Sequence, residues 1–179
     1  IEALQSATGE PLVFYVSAPA VIDHSGQIWL MNDGSSDTAR ASEVPLHRLL
    51  SAVQHCTSHR KLLILDICWP QPMAALGEFS DDITSLIAAQ HSDIDDPGLV
   101  ILCSCSPGQL AWTLQCPRRS VFGFFVEQGL SGQADGFGSS VCNGRVSVDE
   151  LAAFVAARVD GYSRQACPAR QTPLRLGSS

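Results

Sequence analysis

Lys61-Leu62-Leu63-Ile64-Leu65-Asp66-Ile67-Cys68-Trp69 is the stretch on which the fold of this chain turns. Its apolar run is continuous rather than alternating. A strand of that kind has both faces covered, the condition of a parallel sheet with helices on each side. The run stops on an acid and then a cysteine. Asp66 and Cys68 are thereby placed where a buried strand emerges at its carboxyl end. Ligands and reactive groups of open α/β sheets collect at such ends.

Two more runs carry the same signature. Leu12-Val13-Phe14-Tyr15-Val16-Ser17 follows Gly9-Glu10-Pro11, and Leu99-Val100-Ile101-Leu102-Cys103 follows Asp95-Asp96-Pro97-Gly98. A short strand over Gln27–Met31 is expected between a Ser25-Gly26 turn and Asn32-Asp33-Gly34. Leu46, Leu49, Leu50 and Val53 have helical spacing, which predicts a helix over 45–53. Ile83, Leu86 and Ile87 predict another over 82–89, capped by Ser80 or Asp81. Helices are also expected over 121–130, ending at Gly129, and over 148–159, where Asp149 and Glu150 suit the positive end of the helix dipole. Residues 131–143 are rich in Gly and Ser and read as a surface loop.

Strands alternating with helices give an α/β fold, a mainly parallel sheet flanked by helices on both faces, in one domain spanning 1–179. Only three parallel core strands are visible, and the first begins almost at once. Its bare apolar edge is an aggregation liability. We therefore expect amino-terminal strands beyond those visible, supplied by an upstream segment or by another chain.

At 179 residues the chain can bury roughly two-thirds of its unfolded surface. A formal charge of −7 argues against nucleic acid, which wants a basic face. No apolar stretch approaches the roughly 20 residues of a membrane span. Seven cysteines are an odd number, and Cys103 and Cys105 alternate along one strand, where they are poorly placed to bridge. Free thiols in a reducing, cytoplasmic setting are the expectation.

In order and spacing these segments resemble the caspase-like cysteine peptidases, in particular the bacterial caspase-homologue and metacaspase branch. That family ends one strand with Tyr-Phe-Ser-Gly-His-Gly and the next core strand with Asp-x-Cys-His-Ser-Gly. Here the first motif is matched by Tyr15-Val16-Ser17-Ala18-Pro19-Ala20, followed by Asp23, Gly26 and Trp29-Leu30. The second is matched by Asp66-Ile67-Cys68-Trp69-Pro70-Gln71. Cys105-Ser106-Pro107-Gly108-Gln109 with Ala111-Trp112, then Val121-Phe122 through Asp135, then Gln171-Thr172-Pro173, resemble later parts of the family fold.

The resemblance implies Cys68 at the position of the nucleophile and Pro19 at that of the histidine base. Asp66, Ser17 and Ser106 stand at substrate-binding positions, Asp66 in an acidic pocket for a basic side chain. A cysteine peptidase needs an imidazole to make the thiolate and to protonate the leaving amine, and losing such help costs on the order of 10²–10⁴ in rate. Proline has no titratable group, and a proline at position 70 has no N–H to lend an oxyanion hole. The resemblance thus implies a pseudopeptidase that works by binding peptides or proteins. It also implies association with itself or with an active homologue through a closing strand near Gln171–Leu176.

The alternative is a working endopeptidase in which His24, five residues past Pro19, serves as a displaced base for Cys68. Plainer readings stand beside these. Cys68 is either a residual reactive thiol or a packed small residue. Asp66 is either a remnant of the acidic pocket or a cap for the next helix, and His24 a solvated turn residue. His55, Cys56 and His59 have metal-ligand spacing, but no second cluster joins them, so no metal and no cofactor are expected.

Overall fold

In the computed structural model the described residues are 11–31, 43–68, 82–114, 119–138 and 141–178, with Cys68 described by its backbone. Strand β1 (Leu12–Ile22) lies at the middle of a six-stranded sheet ordered β3-β2-β1-β4-β5-β8. Its neighbours are β2 (Ile28–Leu30), which pairs outward with β3 (Val44–Pro45), and β4 (Lys61–Cys68). Beyond β4 come β5 (Leu99–Cys103) and β8 (Leu174–Leu176). β1, β4 and β5 run parallel, while β2 and β8 are antiparallel to their neighbours β1 and β5. The sheet is therefore mixed and mostly parallel, as continuous apolar runs require. A separate two-stranded ribbon joins β6 (Thr113–Leu114) to β7 (Arg119–Ser120).

Among the described residues four helices cover the faces. α1 (Leu46–Gln54) and α2 (Ile83–Ser92) pack on one side against Leu63, Leu65, Ile67 and Ile101. α3 (Val121–Gln128) and α4 (Val148–Ala166) cover the other side over Leu62, Ile64, Val100 and Leu102. Successive side chains of a strand point to opposite faces, so an uninterrupted run in β4 feeds both cores at once. At roughly 1.5–3 kcal/mol per buried aliphatic side chain, these two cores are the main stabilising term.

Several boundaries differ from the expectations, each for a local reason. The cap of α2 is Asp82, whose carboxylate accepts the Ser85 N–H at 3.1 Å; Ser80 and Asp81 lie outside the described residues. α3 stops at Gln128 and passes into a turn, Gly129–Gln133, kinked at Gly132 (φ +104°), so the expected loop at 131–143 opens on that kink. Ala134, within that stretch, is fully buried. α4 runs seven residues past Val159 to Ala166, because Val155, Val159 and Ser163 keep one buried stripe going at helical spacing. Its start is a capping box in which Ser147 and Glu150 satisfy each other's backbone N–H groups.

The described helices do not reach across the whole sheet. On the α3–α4 side Val13 is 53% and Tyr15 44% exposed, while Leu12, Phe14 and Val16 on the opposite face pack against the first core. β2 pairs with β1 only at Ala20–Ile22. Among the described residues, no strand lies along the other edge of Leu12–Ala18. No helix of the described residues is long and apolar enough to cross a membrane.

Candidate functional site

β1 and β4 are in parallel register from Leu12↔Lys61 to Pro19↔Cys68, with Ser17 opposite Asp66. The described parts of the two sequence motifs therefore lie side by side, at the carboxyl end of β4 and within β1. β1 does not stop at Ser17 but continues to Ile22. Proline is tolerated inside it because Pro19 sits at a seam. The pairing with β4 ends there, pairing with β2 begins at Ala20↔Leu30, and the Pro19 carbonyl accepts the Met31 N–H at 2.8 Å. A missing N–H is cheap where one ladder hands over to another.

Asp66 is 1% exposed and is held in place by hydroxyl donors. Tyr15 Oη donates to its Oδ2, and so does Ser120 Oγ. Ser120 is also the N-cap of α3, its hydroxyl oxygen accepting the Gly123 N–H at 2.7 Å. The carboxylate thus joins β4 to β1 and, through one serine, to the positive end of a helix dipole. Gly123 is the notch that permits this. A Cβ built there would lie 2.6 Å from Tyr15 Oη and 2.8 Å from both Asp66 Oδ2 and Ser120 Oγ. Asp66 is consequently not presented to solvent as an open acidic pocket.

The end of β4 is pinned from the other neighbour as well. Ser104 N donates to the Leu65 carbonyl at 3.0 Å, and its buried hydroxyl donates to the carbonyl of Ile67, the residue before Cys68, at 3.1 Å. Gln171 is fully buried, accepting the Trp112 N–H at 2.9 Å and donating to the Ser104 carbonyl at 2.8 Å. Ser106 Oγ donates to the Thr172 carbonyl at 2.8 Å, so that serine ties down the carboxyl-terminal segment. Ser17 is exposed, at the register position of Asp66.

His24 is not brought to Cys68. After Pro19 the strand continues for three residues, roughly 10 Å at about 3.3 Å each, in the direction away from the end of β4. The turn that follows is fixed by Asp23, whose carboxylate accepts from Ser25 N (2.9 Å), Ser25 Oγ (2.6 Å), Gln27 N (3.0 Å) and Trp29 Nε1 (2.8 Å). The Ser25 hydroxyl first, then Trp29 and Gln27, hold the Asp23 carboxyl well below its usual range. His24 stands exposed at the tip of this hairpin. His47, on α1, meets Gln27 Nε2 at 2.9 Å.

Among the described residues Cys103, Cys105, Cys142 and Cys167 are free thiols. Cys103 and Cys105 line a narrow cavity beside α2 with Asp82 and Thr84, next to Leu65 and Ile67 rather than Asp66. Burial pushes the Cys103 thiol up to about 12 and also raises Cys105, outweighing the hydrogen bonds from Thr84 and Ser104. Neither is poised as a nucleophile. No group of three or more metal-ligating side chains is found among the described residues. Trp69, Pro70 and Gln71, and with them the expected oxyanion turn, lie outside the described residues.

Chemically, the register sets a proline, which has no titratable group, beside Cys68. It leaves Asp66 committed to holding β1 and α3 together. Sequence reading singled out Cys68, Pro19 and Asp66 but missed Tyr15, Ser104, Ser120, Gly123 and Gln171. A serine directly before an apolar helix is a capping signal that marks Ser120; nothing local marks the others. Neither known protein-family models nor curated proteins match this sequence.

Proposed function

We propose that this chain is a caspase-like domain that has lost proteolysis and acts as a pseudopeptidase, by binding a peptide or protein. The observation that carries the reading is the register Pro19↔Cys68, which sets a residue with no titratable group beside the thiol position. The position of His24 beyond the end of β1 weighs against a displaced base. The edge of β1 from Leu12 to Ala18 that no described strand borders fits an added strand, given by an extended peptide, an upstream segment or another chain. β8 at the opposite end of the sheet is the edge through which pairing with itself or an active homologue would run. The free thiols Cys103, Cys105, Cys142 and Cys167 fit a reducing, cytoplasmic setting.

Cleavage of peptides with basic residues tests this directly. The wild-type chain should show no turnover that Cys68→Ala abolishes, whereas Pro19→His combined with Ala18→Gly and Ala20→Gly should create some. Wild-type cleavage lost in Cys68→Ala would overturn the pseudopeptidase reading.

A further inference from the structure

The segment entering α4 carries a chemistry unrelated to the Cys68 region. Asn143 and Gly144 are adjacent and exposed, and Gly144 has a φ of +77°, a conformation only glycine adopts readily. The Gly144 N–H donates to Asp135 Oδ2 at 2.8 Å, and the Asn143 N–H donates to Asp135 Oδ1 at 2.9 Å. The Asn143 side-chain Oδ1 in turn accepts the Arg145 N–H at 2.9 Å. One backbone nitrogen thus has a carboxylate on its proton, while the neighbouring side-chain amide has a donor on its carbonyl. A general base on the nucleophile and a hydrogen bond at the developing oxyanion are the two aids that acyl transfer needs.

We propose that Asn143 is a self-modification site, at which Asp135 and the Arg145 N–H assist intramolecular deamidation. Gly144 N gives its proton to Asp135 and bonds to Asn143 Cγ, closing a five-membered imide ring. The oxygen of the tetrahedral intermediate stays on the Arg145 N–H. The Cγ–Nδ2 bond then breaks, and ammonia leaves with the proton returned from Asp135. Solvent water opens the imide at either carbonyl, giving an aspartyl or isoaspartyl residue, so the net reaction is amide plus water to acid plus ammonia. No Cβ on Gly144 obstructs the ring, and nothing else lies within 4 Å of where one would stand. The product sets a new carboxylate beside Asp135, at the entry to a helix whose first turn already holds Asp149 and Glu150. In the isoaspartyl form the lengthened backbone releases the clamp.

The test is peptide mass mapping of Asn143 in the native chain, incubated beside the same chain unfolded in urea. Asn143 should convert faster in the native chain. An equal or slower native rate would overturn the proposal, because the Asp135 clamp would then protect rather than assist. Asp135→Asn, checked for an unchanged urea midpoint, should slow native conversion by about tenfold. That is below the usual span for a positioned base because a carboxylate is a weak one. An unchanged rate in that variant would equally overturn the role of Asp135.

Discussion

Replacing Gly123 with alanine sets two effects of opposite sign against each other. Gly123 lies inside α3, where exchanging glycine for alanine ordinarily stabilises a helix by about 1 kcal/mol. Here the new methyl group would lie 2.6 Å from Tyr15 Oη and 2.8 Å from Asp66 Oδ2 and Ser120 Oγ. All three belong to the hydrogen-bonded cluster around a buried carboxylate, so relief means pulling at least one donor off Asp66. Crowding in a packed interior costs about 1–3 kcal/mol. A lost hydrogen bond to a charged group costs about 1.5–3 kcal/mol more. Set against the helical gain, Gly123→Ala should destabilise by about 1.5–5 kcal/mol, lowering the urea midpoint by roughly 1–2 M at an ordinary slope. Gly161→Ala in α4 is the matched control, since nothing lies within 4 Å of its added methyl, and it should raise the midpoint. In a Tyr15→Phe background the Gly123→Ala cost should shrink, because the nearest obstructing oxygen is gone, leaving a coupling of about 0.5–3 kcal/mol. A Gly123→Ala chain as stable as wild type would refute the account of Asp66 as the joint between β1, β4 and α3.

Further outcomes follow from other parts of the structure. Gln171→Ala should cost about 2–4 kcal/mol by chemical denaturation, since it strands the part-buried Trp112 N–H and the buried Ser104 carbonyl together. The Asp23 carboxyl titrates below its ordinary value of 3.8 because the folded hairpin favours its charged form. Its contribution is therefore present above that value and lost as pH falls through the depressed one. The Trp29 indole N–H resonance should stay in place through the ordinary carboxylate range and move only in stronger acid, and Asp23→Asn should abolish that transition. Among the thiols, alkylation followed by mass mapping should find exposed Cys142 reacting first and Cys103, held up near 12, silent in the native chain. In the same experiment a Cys68 reacting well below the free-thiol midpoint of about 8.5 would reveal an activating partner and sink the pseudopeptidase reading.

The sequence by itself determined the class of the fold and the addresses of the motifs. Continuous apolar runs at 62–65 and 99–103 have nowhere to lie except in a sheet covered on both faces, and β5 begins and ends at the expected residues. Apolar spacing near 3.6 located α1 and α2, because amphipathic burial is a local pattern. What the chain could not show was any relation that closes through space. The register that sets Pro19 beside Cys68 depends on how β1 and β4 align. The strand end expected at Ser17 was displaced to Ile22 because β2 folds back and takes over the pairing. The fate of Asp66 was open to sequence reading, between a ligand pocket and a cap. Tertiary structure decided it by bringing together Tyr15, fifty-one residues away, and Ser120, fifty-four residues away, across a glycine notch. A buried carboxylate must find its donors wherever the packed chain offers them, and local sequence carries no record of that choice.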